Sequence, residues 1–200
     1  MQKWTNRFHV GDHVIHIYRN DMELLQSLVD LITAASHDEK IVYLSDKKVE
    51  EQVPSKKREI SKLIRSALNE GKLSIVPSYK TYCPTGKFLM ESILKFWWEL
   101  ANRIDKEGYR SAIIAGDISW VSRHASLFPS FLQYEQSIDL YGVPKNIRII
   151  CQYDSRLFNS QQIESAIKVH QLVLRGQTLE RKNWIVSRKL DNSVFFPSMV

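Results

Sequence analysis

Short runs of apolar, β-branched residues alternate along this chain with segments whose apolar residues recur every three to four positions. That alternation restricts it to an α/β arrangement. His13-Val-Ile-His-Ile-Tyr18 is the first β-rich run. Asn20-Asp-Met-Glu23 then reads as a helix N-cap with a glutamate three positions on, opening a helix whose Leu24, Leu25, Leu28, Leu31 and Ile32 share one face. Lys40-Ile-Val-Tyr-Leu-Ser45 predicts a second strand and Leu73-Ser-Ile-Val76 a third. Between them Pro54-Ser55 starts a second helix that turns Ile60, Leu63, Ile64, Ala67 and Leu68 inward and ends at Gly71. The longest helix is expected over 87–107, stopping at Gly108; being apolar nearly all round, it should be covered on more than one side. Residues 111–115 and 146–151 predict the fourth and fifth strands, with a helix over 129–141 between them. A last helix, capped at Asn159-Ser-Gln-Gln162, reaches about His170. Beyond it Trp184-Ile-Val-Ser187 reads as an edge strand, with Asp191-Asn192 as a turn.

Near-continuous apolar runs such as Ala112-Ile-Ile-Ala115 mark strands buried on both faces. The expected architecture is one three-layer domain, a mostly parallel central sheet with helices on both faces. A length of 200 residues suits a single core of this kind. Two cysteines, Cys83 and Cys151, cannot form a disulfide framework, so a reducing cytosol is the expected compartment. Neither a long apolar run nor an apolar leader is present, so a cytoplasmic protein without a membrane is expected. The net charge of +6 concentrates in 47–65 and 172–200. The first cluster falls on an amphipathic helix and reads as a solvated face. With no helix-turn-helix, zinc-finger or aromatic RNA-binding signature, nucleic acid is not the expected partner.

In open α/β sheets, ligands bind beyond the carboxyl ends of the strands. Asp21, Asp46, Asp117 and Asp154 all follow strands closely. Helix capping explains Asp21 or its neighbour Asn20, but not Asp46 or Asp154, since better caps stand further on at Ser55 and Asn159. His13 and His16, three apart in one strand, point to opposite faces and cannot both hold one ion. His16, Asp117, Cys151 and His170 have the donor types of a transition-metal site, yet no close-spaced ligand pair supports one, and hydrogen-bonded core histidines are the commoner reading.

A phosphate loop is not expected after the first strand, because Tyr18-Arg-Asn-Asp-Met-Glu23 has no glycine and carries two carboxylates. Thr81-Tyr-Cys-Pro-Thr-Gly-Lys-Phe88 has a Gly-Lys pair but lacks the first glycine and the magnesium-binding hydroxyl, so it reads as a helix start. No nucleophile elbow or catalytic cysteine context is present. Aromatic residues gather near the strand ends, Tyr18, Tyr43, Tyr79, Tyr82, Trp120, Tyr134 and Tyr153 among them. Such a cluster suits either the core or a pocket for a weakly polar molecule.

His13-Val-Ile-His-Ile-Tyr-Arg-Asn-Asp21, the Gly71-Lys-Leu turn, Gly116-Asp-Ile-Ser-Trp120, Tyr134-Glu135, Cys151-Gln-Tyr-Asp154 and His170 follow one another as in the MEDS domains, the methanogen/methylotroph, DcmR-type sensory family. The chain resembles that family over roughly residues 10 to 178, and the tail after Gly176 departs from its pattern. The resemblance implies a fold related to RecA and KaiC without a working phosphate loop. It implies a MEDS-like sensory domain over 1–178, and a tail over 179–200 that reads as an edge strand or hairpin. It further implies a sensor of small hydrocarbon derivatives that signals through a partner such as a histidine kinase or transcription regulator, or through a homodimer; the expected protein is non-enzymatic, with no metal or cofactor. The ligand is then expected near His16, Tyr18, Asp117, Trp120, Glu135, Cys151, Tyr153 and His170, with Trp120 and Tyr153 giving apolar contact. The alternatives are a degenerate RecA-class nucleotide site using Lys87 or the basic second helix, and a metal-dependent enzyme built on His16, Cys151 and His170.

Overall fold

The computed structural model describes residues 3–49, 53–54, 57–141, 144 and 146–182. Its strands are β1 (His13–Tyr18), β2 (Glu39–Leu44), β3 (Leu73–Val76), β4 (Ser111–Asp117), β5 (Ile147–Asp154), β6 (Leu172–Arg175) and β7 (Thr178–Arg181). They form a single sheet of order β3-β2-β4-β5-β1-β6-β7, parallel throughout except for the antiparallel β6–β7 pair. The helices are α1 (Asp21–Ala34), α2 (Arg58–Asn69), α3 (Ser78–Tyr82), α4 (Met90–Lys106), α5 (Ser119–Ser122), α6 (Phe128–Tyr141) and α7 (Ser160–Lys168).

Side-chain alternation along the strands sorts the core into two layers. Val14 of β1, Ile41 and Tyr43 of β2, Ile113 and Ala115 of β4 and Ile150 of β5 pack beneath α1 and α2, against Leu25, Leu28, Leu31, Ile64 and Ala67. Ile15, Ile17, Val42, Ile114, Ile149 and Tyr153 point the other way, against Ile93, Trp97, Leu100 and Ile104 of α4 and Phe131, Tyr134 and Ile138 of α6. Leu28 and Leu31 are fully buried, and each such side chain contributes roughly 1.5–3 kcal/mol. The fold is therefore the expected single α/β domain of three layers.

Several boundaries move, each for a local reason. The helix expected from Lys87 begins at Met90, because Gly86 adopts φ +78° and Leu89 is still extended. Trp98 of α4 is 59% exposed and Met90 40%, so this helix is covered along one stripe rather than on several sides. The second helix starts at Arg58 instead of at Pro54-Ser55. β4 and β5 run on to Asp117 and Asp154, which places both carboxylates in the sheet's last row. The β6–β7 hairpin lies at 172–181, earlier in the chain than the hairpin expected over 179–200. Its connection is Gly176-Gln177, with Gly176 at φ +56°, a conformation that costs glycine nothing. β7 begins at Thr178, so the expected division between 178 and 179 runs through a paired strand. The edge strand and turn read at Trp184–Ser187 and Asp191-Asn192 lie outside the described residues. Among the described residues no helix is long and apolar enough to cross a membrane.

Candidate functional site

Period-two alternation also divides the polar residues, and it gives each face of the sheet a centre of its own. At the carboxyl ends, on the α1–α2 side, the phenol of Tyr18 donates to Asp117 Oδ1 at 3.2 Å, and the Ser119 amide donates to the same oxygen at 3.0 Å. Lys47 Nζ stands 3.4 Å from Tyr18 Oη, 3.7 Å from Asp117 Oδ2 and 3.8 Å from Asp21 Oδ1. Asp117 is 1% exposed, and its Oδ2 accepts no hydrogen bond. Burial, then the charge of Asp117, drives the Tyr18 phenol well above its ordinary range, so it remains a donor. Asp154 closes the rim. Burial opposes its ionisation, but Arg156, donating from Nε at 2.8 Å and Nη2 at 2.7 Å, holds the carboxyl below the usual range. The same guanidinium reaches Asp21 at 2.8 Å and so ties the end of β5 to the start of α1. Asp46 accepts from the Tyr79 amide and from Arg123. Neither Asp46 nor Asp154 is the N-cap residue of the helix that follows it, although Asp46 satisfies a first-turn amide of α3 from outside that helix.

The turn leaving β1 is closed by the chain's own carboxylate. Glu23 accepts from the Arg19 amide at 2.8 Å and from its guanidinium at 2.6 and 2.9 Å, while Asn20 Oδ1 caps α1 by accepting from the Glu23 amide at 2.9 Å. The expected N-cap is thus Asn20, but Glu23 turns back one residue further than a capping box requires. His16 lies on this face under Tyr18, its Nδ1 3.5 Å from Gln152 Nε2. Burial lowers its pKa to about 4, so the ring is neutral.

The second centre lies on the opposite face, beneath α6. Glu135 Oε2 lies 2.9 Å from His13 Nε2, 3.3 Å from His170 Nε2 and 3.3 Å from the Cys151 thiol that donates to it. His13 Nε2 is also 3.4 Å from Cys151 Sγ. All four side chains are buried. Burial opposes the charge on Glu135, yet its contacts with His13 and His170 outweigh that and bring the carboxyl down to about 2. Tyr153 borders the cluster edge-on to His170, its phenol pushed far up by burial and then by Glu135.

The residues expected to gather around one ligand therefore separate. Tyr18 and Asp117 meet at the strand ends with His16 below them. Glu135, Cys151, Tyr153 and His170 group on the other side of the sheet. Trp120 is fully buried, stacked on Tyr82 at 5.2 Å and edge-on to Phe131 at 5.6 Å, within the aromatic packing under α5. The metal combination of His16, Asp117, Cys151 and His170 is not assembled, because His16 and Asp117 face away from Cys151. His13 takes the place expected of His16. Finding it required the pairing of Ile15 with Cys151 in neighbouring strands, which the local sequence does not carry. Lys47 stands in the sequence only as the first member of a basic run, and its contacts with Asp21 and Asp117 arise from the fold. The basic residues Arg58, Lys62 and Arg65 line a shallow depression on α2 with Ser61, Ser66 and Asn69.

No curated protein matches this chain. Among solved structures it is similar to the flagellar accessory protein FlaH from Methanocaldococcus jannaschii, with 14% identity and a TM-score of 0.50 over 86% of this chain and 76% of that one. It is also similar to a KaiC-like protein from Pyrococcus horikoshii, with 14% identity and a TM-score of 0.51 over 84% and 72% of the two chains. At such identity the likeness is one of fold, and the fold is RecA/KaiC-like. The sequence profile of the methanogen/methylotroph, DcmR sensory domain matches residues 12–171, a span that contains both polar centres, and the chain belongs to that family, MEDS.

Proposed function

We propose that this MEDS domain is a non-enzymatic receptor for a small, weakly polar molecule bound at the carboxyl ends of β1, β4 and β5. The observation that carries the reading is the buried Asp117 carboxylate, whose Oδ2 lacks a hydrogen-bond partner while Lys47 stands 3.7 Å away. A buried acceptor of this kind calls for a donor, and the hydroxyl or amino group of a simple hydrocarbon derivative supplies one. Tyr18, locked as a donor against the other oxygen, fixes the carboxylate's orientation.

The turn after β1 supports a ligand other than a nucleotide. Glu23 already accepts from the Arg19 amide, and Asp21 lies in the same helix turn, so a triphosphate would have to displace one carboxylate and approach another. Occupation of the site then biases a contact with a histidine kinase, a transcription regulator or a second copy of the chain, provided the ligand's affinity differs between the two states. The exposed Leu89, Met90 and Trp98 on and beside α4 offer a surface for the homodimer.

Thermal-shift titration with short alcohols and amines tests the reading, with native mass spectrometry of the purified protein identifying any molecule that co-purifies. A stabilisation that Asp117→Asn abolishes is the expected result. The competing reading is a degenerate nucleotide site, and magnesium-dependent, micromolar binding of ATP would establish it in place of the receptor.

A further inference from the structure

We propose that His13, Glu135, Cys151 and His170 form a binding site for one divalent transition-metal ion of the zinc or iron(II) type. The site is separate from the strand-end receptor site and does not depend on it. Four side chains from four parts of the fold (β1, α6, β5 and the segment after α7) turn one donor atom each to a common point, all within 4.8 Å of one another. A tetrahedral ion with bonds of about 2.0–2.3 Å needs donor separations of roughly 3.3–3.8 Å. The separations at the centre of the cluster, 2.9 to 3.4 Å, lie within a few tenths of an ångström of that figure.

The hydrogen bonding around His170 prepares it as a ligand. Its Nδ1 lies 2.7 Å from the Ala166 carbonyl, an acceptor only, so Nδ1 carries the proton. Nε2 of the neutral ring therefore presents a lone pair, and it presents it to a carboxylate oxygen 3.3 Å away. Two lone pairs facing each other at that distance repel unless a proton or a metal ion lies between them. A backbone carbonyl fixing one ring nitrogen while the other meets a metal is a common supporting arrangement for ligating histidines. His170 Nε2 thus faces the Glu135 carboxylate from inside the protein, where both groups are fully buried.

The charges also balance. One carboxylate and one thiolate carry two negative charges, and a dication neutralises them; binding transfers the Cys151 thiol proton to solvent. Imidazole and thiolate donors select zinc or iron(II) over magnesium or calcium, which require oxygen ligands.

The whole chain, stripped with a chelator, is titrated with cobalt(II) and separately with zinc, after elemental analysis of the protein as purified. The expected results are one equivalent of zinc or iron per chain and, with cobalt, a thiolate-to-metal charge-transfer band saturating at one equivalent. Cys151→Ser should abolish that band, Cys83→Ser should leave it unchanged, and Glu135→Gln should weaken cobalt binding at least roughly tenfold. Should Cys151→Ser fail to fold, the wild-type and Cys83→Ser spectra decide. A folded wild-type protein that takes up neither metal, or a charge-transfer band that disappears with Cys83→Ser, overturns the assignment.

Discussion

The phenol of Tyr18 at the end of β1 donates to the Asp117 carboxylate at the end of β4, 3.2 Å away, across the strand β5 that lies between them. Both groups are buried, so the bond joins two strands that share no backbone pairing. Tyr18→Phe removes the donor and leaves a buried acceptor short of one partner. Urea denaturation should show a loss of about 1–3 kcal/mol with an unchanged m-value. A loss no greater than that of an exposed substitution would mean that the bond does not persist in solution.

Acid should destabilise the fold through His16. Its folded pKa is depressed to about 4, against 6.5 for the free side chain. The unfolded chain therefore takes up this proton first as the pH falls. The stabilisation from keeping the ring neutral is complete above about pH 6.5 and disappears progressively toward pH 4, amounting to about 3 kcal/mol over that window. His16→Gln should flatten the corresponding part of a stability-versus-pH curve measured from pH 8 to 4, and an unaltered slope would contradict a buried neutral imidazole.

Two tryptophans should respond in opposite ways. Trp120 is fully buried among Tyr82, Phe88 and Phe131, and Trp120→Ala should cost about 3–5 kcal/mol. Trp98 projects from α4 and is 59% exposed, so Trp98→Glu should leave the monomer's stability within about 0.5 kcal/mol. Sedimentation velocity is the second readout for Trp98→Glu. A dimer formed through this face dissociates in the variant, and one that persists uses another surface.

Arg156 tests the rim. Its guanidinium is about half exposed, so Arg156→Ala should cost less than about 1 kcal/mol at physiological salt. The loss should grow at low ionic strength. It should also vanish in acid, because the depressed pKa of Asp154 makes the pair's contribution present above pH 3.8 and lost as the pH falls below it. A salt-independent difference between wild type and variant would point to packing of the side chain instead of its charge.

Much of the fold was legible because strand and helix periods are local properties. Five strands, the cap at Asn20 and the stops at Gly71 and Gly108 follow from residues within a few positions of one another. The hairpin of β6 and β7 is less legible, because Leu172-Val-Leu is a short continuous apolar run and only Thr178-Leu-Glu-Arg181, beyond the glycine, alternates. The start of α4 was misplaced because Gly86 can open a helix or, as here, hold a turn before one. The polar centres were harder to read. Alternation showed that His13 and His16 face opposite ways, but the choice of face for Cys151 depends on which strand stands beside it. The place of β1 beside β5 is decided by contacts between segments more than a hundred residues apart, such as the 138 that separate His13 from Cys151.

Cys151 and Gln152 occupy successive positions on β5, one turned toward the Glu135 cluster and the other toward His16 and Ser27. The partition between two chemistries is thus a single peptide plane thick. Sliding β5 by one position against its neighbours would put Gln152 in the thiol's place and Tyr153 in the amide's, or, in the other direction, Ile150 in the thiol's place and Cys151 in the amide's. Strand alignment in this protein consequently acts as a sorting rule for reactive groups as well as a source of cohesion.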